Sequence, residues 1–340
     1  MSGDVDTPGL DLKVLGAWLP SHVDGAGSDL SATLIAGGKS NLTYRISDGE
    51  STWILRRPPV GRLLATAHDM GREHRMMSAL APTSVPVPHM HAFCDDVDVL
   101  GAPFYVMSDV NGVPYRSQHE LRALGEARTK AISERLVDTL VDLHHVDPAE
   151  VGLADAGRPE GFLGRQVERW RKQFAAAHTR DLPTMEALYA QLVERVPADG
   201  APGIVHGDYR LDNVLVDPDD RPAAVIDWEL ATIGDSLTDL ALMLVYGRFA
   251  AITEGAVSDV NQAPGYLTED EVIARYAAAS HRDLGDFGFY LALACFKLAG
   301  IVEGIYYRFG QGQTVGEGFA DVGAGVFPLL DAGLAALKEN

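Results

Sequence analysis

The chain has 340 residues, of which 46% are hydrophobic and 22% are charged, a globular composition that is long enough for two domains. It carries 28 basic against 48 acidic residues, which gives a formal net charge of −20. This acidic excess argues against a nucleic-acid binder and against docking on anionic lipid. The simplest interpretation of the charge is a soluble, self-repelling surface, and a pocket for cationic substrates is the alternative.

Cysteine usage and the N-terminal segment suggest where the protein works. Cys94 and Cys295 lie too far apart in sequence for a disulfide framework or a zinc knuckle. The first ten residues lack the apolar stretch of a signal peptide, and no uninterrupted apolar run reaches about 20 residues. We therefore expect a cytoplasmic protein without a membrane or nucleic-acid partner.

The first hundred residues predict mostly strands. Apolar residues at helical spacing predict a short helix from Leu12 to Leu19, which Pro20 closes. A second helix is predicted over 66–80, with Met70, His74, Met77 and Leu80 on one face. Strands are predicted over 31–37, 42–46, 52–56 and 103–110. Together these elements predict a small antiparallel β lobe.

The pattern becomes mainly helical after about residue 108. Apolar residues recur every four positions from Ile132 to His144, which predicts a helix there. Short β-type runs are predicted over 204–216 and 223–228. Further helices are predicted over 160–178, 184–196, 236–247, 268–279 and 286–308, and Thr268 with Glu271 forms a capping box. We therefore predict an N-terminal lobe over residues 1–107 and a C-terminal lobe over 108–340.

The segment from His206 to Val216 carries the most informative chemical pattern in the chain. Asp208 and Asn213 lie five residues apart between short apolar runs, and Asp227 follows fourteen residues after Asn213. Phosphoryl transfer from ATP needs a carboxylate that orients the attacking hydroxyl, together with hard oxygen ligands for Mg²⁺. His-Gly-Asp alone is a common turn, but the whole pattern is hard to obtain by chance. The spacing therefore favours ATP- and Mg²⁺-dependent phosphoryl transfer.

This pattern resembles the His-Gly-Asp-x-x-x-x-Asn loop of the aminoglycoside phosphotransferases and choline kinases, a branch of the protein-kinase-like fold. The resemblance extends from about Trp18 to about Arg308, and it is closest to the phosphotransferase domain associated with acyl-CoA dehydrogenases. The segments that carry this closer likeness are 55–59, 72–77, 103–107 and 234–241. The resemblance implies a bilobal α+β fold, with a small antiparallel β lobe and a larger, mainly helical lobe.

The resemblance also implies roles for the residues of the pattern. Asp208 is the expected catalytic base, and Asn213 and Asp227 are the expected Mg²⁺ ligands. Asp239 is expected to brace the 206–213 loop by accepting hydrogen bonds from its backbone. His206 is interpreted as a buried structural ring rather than a proton carrier.

A glycine-rich turn in the N-terminal lobe is expected to fold over the phosphates of ATP with its backbone N–H groups. Gly37, Gly38 and Ser40 belong to this turn, which leads into a strand, whereas a Walker A loop opens a helix. A plain hairpin without a nucleotide role is the alternative. The resemblance places adenine at the connection between the lobes, against Met107, Ser108 and Val110.

Arg56 ends the third predicted strand, where protein kinases place a phosphate-pairing lysine. An arginine can bind phosphate through two hydrogen bonds and keeps its charge. Glu73, on the following helix, is the expected partner that would hold Arg56 in place. Because strand residues alternate between two faces, either Arg56 or Arg57 points to the nucleotide, and we predict Arg56. A surface ion pair of little consequence is the alternative for both residues.

The phosphate acceptor is the least determined part of the prediction. The positive charges among the candidate contacts suit an acidic acceptor, whereas an aminoglycoside would favour many carboxylates. The candidates are Arg210, Glu229, Lys297, Tyr307 and Arg308. The resemblance implies a hydroxy acid or a hydroxyacyl-CoA as acceptor, so the predicted function is an ATP-dependent phosphotransferase acting on a small-molecule hydroxyl.

Three alternative functions stay open at this point. The first is an aminoglycoside or other antibiotic O-phosphotransferase, and the second is a nucleotide-binding scaffold without catalysis. The intact set of Asp208, Asn213 and Asp227 speaks against the scaffold. The third is a protein kinase, which the sequence disfavours because Asp235 lies only eight residues after Asp227 and leaves little room for a peptide-binding platform.

Overall fold

The computed structural model describes residues 7–35, 41–60, 69–177, 180–253, 258–312 and 322–338. The chain divides into two compact units. The first comprises residues 1–112 together with 223–231, and the second comprises 113–222 together with 232–340. The lobe boundary between residues 107 and 108 stays a prediction.

The described part of the first unit is built on a five-stranded antiparallel sheet in the order β1-β2-β3-β5-β4. Its strands are β1 (Ser31–Leu34), β2 (Leu42–Ser47), β3 (Thr52–Arg57), β4 (Met90–Cys94) and β5 (Phe104–Ser108). The helices that accompany them are α1 (Leu12–Trp18), α2 (Met70–Leu80) and α3 (Val97–Leu100). The predicted antiparallel β region is therefore present.

Side-chain alternation gives this sheet two different faces. One face carries Leu55 and Val106 into an apolar core that also contains Leu15 of α1. The opposite face carries Arg56 of β3, which lies directly across from Tyr105 of β5. This second face therefore carries a guanidinium and a phenol hydroxyl side by side.

Helix α2 differs from its sequence-based description in one informative way. Asp69 caps its N-terminus by accepting a hydrogen bond from the backbone N–H of Arg72. Met70 and Met77 are buried as expected, but His74 is only partly buried, and Glu73 is fully buried instead. A buried carboxylate needs a partner, and Glu73 finds one on the sheet.

The described part of the second unit is mainly helical. Its helices are α4 (Gln118–Leu124), α5 (Glu126–His145), α6 (Phe162–Ala176), α7 (Pro183–Glu194), α8 (Leu237–Ile252), α9 (Glu269–Ser280), α10 (Phe287–Gly310) and α11 (Val326–Ala336). The short strands β6 (Gly203–Val205) and β9 (Thr232–Gly234) pair antiparallel within this unit. A further short strand of this unit is β7 (Val214–Val216), whereas all but the first residue of β8 (Pro222–Val225) belongs to the first unit. The helices predicted over 160–178, 184–196, 236–247, 268–279 and 286–308 are confirmed, and so is the Thr268–Glu271 capping box.

Helix α10 forms the centre of the second unit, where it packs against α6, α7, α8 and α11. It has 24 residues and contains an 18-residue stretch with a mean hydropathy of 1.6, so it is long and apolar enough to cross a membrane. However, 72% of its most apolar stretch is buried inside the fold. The core of the protein therefore accounts for its apolar character.

Candidate active site

Arg56 lies at the centre of a polar cluster in the first unit. Its Nε atom lies 3.2 Å from Glu73 Oε2, and its Nη2 atom lies 2.5 Å from Asp227 Oδ1. The expected Arg56–Glu73 pair is thus present. Arg57 points to the other face of the sheet and donates to the carbonyl of Leu100 at 2.9 Å, which explains why only Arg56 takes this position.

Two members of the cluster were missed by the sequence analysis. The Tyr105 hydroxyl donates to Glu73 Oε2 at 2.9 Å. The Asn41 amide donates to Glu73 Oε1 at 3.3 Å and to Glu229 Oε2 at 3.1 Å. Glu229, a predicted acceptor contact, therefore belongs to this cluster in the first unit. We refer to Asn41, Arg56, Glu73, Tyr105, Asp227 and Glu229 as the arginine cluster.

Burial and charge shift the pKa values of the arginine cluster in opposite directions. Burial raises the pKa of Glu73 to about 7, although the charge of Arg56 and the hydrogen bond from Tyr105 oppose this shift. Burial lowers the pKa of Arg56, but Tyr105, Glu73, Asp227 and Glu229 together raise it by more. Arg56 therefore stays a cation, whereas Glu73 can exchange its proton near neutral pH.

Among the residues that the structure describes, no group of three or more His, Cys, Asp and Glu side chains is arranged to hold a metal ion, so the arginine cluster offers single carboxylate oxygens rather than a preformed metal centre. Three carboxylates surround one guanidinium, and the Asp227 and Glu229 side chains keep 29% and 20% of their surface exposed. Asp227 also adopts a left-handed backbone conformation with φ of 67°, which is uncommon for a non-glycine residue and is often retained at functional sites. The exposed oxygens of Asp227 and Glu229 are hard ligands of the type that Mg²⁺ binds.

The carboxylate of Asp239, on α8, holds the 206–213 loop of the second unit through hydrogen bonds to its backbone. The N–H of His206 donates to Asp239 Oδ2 at 2.6 Å, and the N–H of Gly207 donates to Oδ1 at 2.7 Å. Gly207 has φ of 88°, a conformation that glycine adopts without strain. The predicted brace is confirmed, and the fully buried His206 ring, whose Nδ1 lies 3.2 Å from the Asp208 nitrogen, supports the loop from within.

Asp208 and Asn213 are joined directly within this loop. The Asn213 amide nitrogen donates to the Asp208 carbonyl at 2.8 Å and to its carboxylate Oδ2 at 3.0 Å. Because the nitrogen of the amide is committed to Asp208, its oxygen is the atom that Asn213 can offer to a cation. The loop therefore presents a carboxylate and an amide oxygen side by side.

Arg210 and Tyr246 lie next to Asp208. Arg210 is 3.1 Å from the carboxylate of Asp212 and 3.9 Å from that of Asp208, and its guanidinium lies 4.6 Å from the centre of the Tyr246 ring. Burial raises the pKa of Tyr246, and the charge and hydrogen bonding of Asp208 raise it further. Tyr246 comes from α8, far from the loop in sequence, so no local pattern could have identified it.

Lys297 of α10 contacts the backbone of the same loop. Its Nζ donates to the Gly207 carbonyl at 2.8 Å and lies 5.8 Å from the centre of the Trp170 ring. Tyr307 and Arg308 lie about 15 Å further along the helix axis, at a rise of about 1.5 Å per residue. The structure therefore brings Arg210 and Lys297 to the loop but does not gather all the predicted acceptor contacts there.

The predicted adenine contacts lie on and after β5. Met107 is buried on the same sheet face as Arg56, opposite Ile54. The Ser108 hydroxyl lies 3.0 Å from Nε2 of His91, and Val110 is partly buried. The three predicted residues of the glycine-rich turn, Gly37, Gly38 and Ser40, lie outside the described residues.

Comparison with known proteins identifies the family. Residues 31–283 match the model of a family described as the phosphotransferase enzyme family. The chain belongs to this family. It is also 36% identical over 345 residues to acyl-CoA dehydrogenase family member 11 of Homo sapiens. This match covers 97% of this chain and 43% of the human protein. The phosphotransferase chain thus spans less than half the length of the curated relatives it matches.

Solved structures confirm the protein-kinase-like α+β fold of this phosphotransferase. A protein of Ralstonia eutropha that carries the name of an aminoglycoside phosphotransferase is 34% identical, with a TM-score of 0.85, and covers 97% of this chain and 98% of its own. Choline kinase of Cryptosporidium parvum is 12% identical, with a TM-score of 0.65, and covers 97% and 96%. At 12% identity, the second likeness concerns the fold alone.

Each unit of the phosphotransferase has its own chemical capacity. The arginine cluster of the first unit combines a permanent cation with carboxylate oxygens, which suits phosphate and metal binding. The 206–213 loop of the second unit holds Asp208 in one orientation, which suits the binding of a hydroxyl group. These are the parts that phosphoryl transfer requires.

Proposed function

We propose that this chain is an ATP- and Mg²⁺-dependent phosphotransferase whose acceptor is the hydroxyl group of a small molecule. The observation that carries the proposal is the immobilised Asp208. Asn213 holds its carboxylate, and Asp239 holds the backbone of its loop through two short hydrogen bonds. Phosphoryl transfer depends mainly on positioning and electrostatics. The firmly held carboxylate of Asp208, in a member of the phosphotransferase enzyme family, therefore supports catalysis.

In the proposed reaction, Asp208 orients the acceptor hydroxyl and accepts its proton. The hydroxyl oxygen forms a bond to the γ-phosphorus of ATP, and the bond between that phosphorus and the leaving oxygen of ADP breaks. Arg56 binds phosphate oxygens with its guanidinium, and Glu73 and Tyr105 hold Arg56 in place.

The proposed Mg²⁺ ligands are Asn213 and Asp227. Both offer hard oxygen atoms, and the excess of carboxylates around Arg56 favours a divalent cation. Mg²⁺, when bound, neutralises charge on the phosphate oxygens. Three expectations stay predictions. They are the contact of adenine with Met107, Ser108 and Val110, the contact of the phosphates with the glycine-rich turn, and a cytoplasmic location.

The finer proposal for the acceptor is a hydroxy acid or a hydroxyacyl-CoA. It is supported by two curated relatives in which a similar sequence forms part of a longer protein. Both relatives are named as acyl-CoA dehydrogenase family members. The charges near Asp208 are a weaker argument, because Arg210 pairs with Asp212 and Lys297 bonds to Gly207. Those two cations therefore do not by themselves demand an acidic acceptor.

A screen of acceptors tests this proposal. The purified chain is incubated with ATP and Mg²⁺ and with hydroxy acids, hydroxyacyl-CoAs, aminoglycosides or choline, and ADP release is followed. Mass spectrometry then shows whether the acceptor has gained a phosphate group. We expect acceptor-dependent ADP release with a hydroxy acid or hydroxyacyl-CoA. Turnover with aminoglycosides only would overturn the acceptor class, and nucleotide binding without any phosphorylated product would favour a scaffold.

A further inference from the structure

Lys297 stands in an unusual place for a lysine. Its neighbours in α10, Phe296 and Leu298, are 0% and 2% exposed, and the helix as a whole forms the core of the second unit. Bringing an ammonium group into such surroundings costs free energy unless polar partners replace the lost water. The contacts of the Nζ atom therefore indicate the role of Lys297.

The contact of Lys297 is with the peptide group that leads into Asp208. Its Nζ donates to the Gly207 carbonyl at 2.8 Å, and that carbonyl shares one rigid plane with the N–H of Asp208. Asp239 holds the N–H of Gly207 on the preceding peptide. Gly207 is therefore fixed on both sides, which matters because a glycine can otherwise rotate at little cost.

We propose that Lys297 is a positioning residue that sets the orientation of Asp208 by holding the Gly207–Asp208 peptide. This inference rests on the proposed function, and it replaces the expectation that Lys297 contacts the acceptor. The Trp170 ring, 5.8 Å from Nζ, completes the surroundings of the ammonium. Burial lowers the pKa of Lys297, and the carboxylates of Asp208 and Asp239 oppose this shift only in part. The two carboxylates thus help to keep the charge on the group that holds the loop.

The variant Lys297→Met tests this role, because methionine retains a long, unbranched side chain but cannot donate a hydrogen bond. We expect kcat to fall roughly 10- to 100-fold, the size of effect that a misplaced reacting group produces. The KM values for ATP and for the acceptor should stay within about twofold, since binding groups are untouched. The control is Lys172→Met, on an exposed position of α6, which should leave all three constants unchanged.

Three kinetic outcomes separate the positioning role from its alternatives. In Lys297→Ala, added ethylamine should restore part of kcat, whereas ethanol, which carries no positive charge, should not. An increased KM for the acceptor with little change in kcat would overturn the proposal in favour of direct acceptor binding. A kcat equal to that of the wild type in Lys297→Met would also overturn it.

Amide hydrogen exchange tests the same role without any activity. In Lys297→Met, the backbone amides of the 206–213 loop should exchange about tenfold faster, while the amides of α9 and α11 keep their rates. Unchanged exchange in the loop would contradict the proposal even if the chain is stable. If the wild type transfers no phosphate to any acceptor, the proposed function fails, and this measurement still decides whether Lys297 holds the loop.

Discussion

Replacing Asp239 with asparagine removes one of the two acceptors that hold the 206–213 loop. In the wild type, Oδ2 accepts from His206 and Oδ1 accepts from Gly207, at 2.6 and 2.7 Å. The asparagine keeps one oxygen, but its NH₂ group must face the other backbone N–H. Asp239 is 1% exposed, so water cannot take over the lost hydrogen bond.

The magnitude of this effect follows from the two hydrogen bonds. A hydrogen bond to a charged group contributes about 1.5–3 kcal/mol, and a buried donor left without a partner costs about 1–3 kcal/mol. The remaining bond also loses its charge assistance. We therefore expect Asp239→Asn to lower the free energy of unfolding by about 2–4 kcal/mol and to reduce kcat, because the loop that carries Asp208 loses its support.

Urea denaturation followed by circular dichroism measures this loss. Asp331→Asn, on an exposed position of α11, is the matched control and should change the free energy of unfolding by less than about 0.5 kcal/mol. Burial alone would raise the pKa of Asp239, but His144, His206 and the backbone hydrogen bonds lower it by more. Its contribution is therefore complete above the pKa of an unfolded aspartate, about 3.9, and the deficit of the variant should shrink at lower pH. A deficit below about 1 kcal/mol at neutral pH would refute the brace.

Three further predictions concern the arginine cluster. Arg56→Met should raise the KM for ATP at least about tenfold in the ADP-release assay, because a cation bound to phosphate is lost. The KM of Arg56→Lys should lie between those of the wild type and Arg56→Met. An unchanged KM would contradict the phosphate role. The raised pKa of Glu73 means that its contribution to stability is complete below about pH 4.5 and lost as the pH rises through about 7. Between those values, the wild type should lose up to roughly 3 kcal/mol more than Glu73→Gln in urea denaturation, and parallel pH profiles would refute this. Chelation of Mg²⁺ by EDTA should abolish ADP release, excess Mg²⁺ should restore it, and Asp227→Asn should require more Mg²⁺; a rate that EDTA leaves unchanged would exclude the metal role.

The contact between Asp208 and Asn213 could be predicted because its information is local. Asp208 and Asn213 share one loop, and their spacing alone implies that the two side chains can meet. The preference for Arg56 over Arg57 follows from strand alternation, which needs only the position of a strand. The amphipathic helices were likewise predictable, because their apolar spacing is a property of short segments.

The remaining site residues depend on contacts between distant segments. Tyr105 lies opposite Arg56 because β5 pairs with β3 in one register, and strand register is not readable from either strand alone. Asn41 and Glu229 meet across 188 residues, so no short segment of the sequence places Glu229 in the arginine cluster. Tyr246 and Lys297 reach Asp208 and Gly207 through helix packing.

The elements that the sequence analysis missed lacked clear local signals. Strand β4 alternates weakly, since most of its residues are only partly buried. Helix α11 contains a proline in its first turn and a glycine near its end, both of which are poor helix formers. The seven-residue helix α4 is too short for its apolar spacing to be distinctive.

The rate of phosphoryl transfer to the acceptor by Asp208→Ala, compared with the wild type, tests the central claim most directly. With ATP labelled at the γ-phosphate, the wild type should transfer label to a small-molecule hydroxyl. The variant should do so roughly 10²- to 10⁴-fold more slowly while binding ATP with similar affinity. Transfer by Asp208→Ala at the wild-type rate would contradict the account.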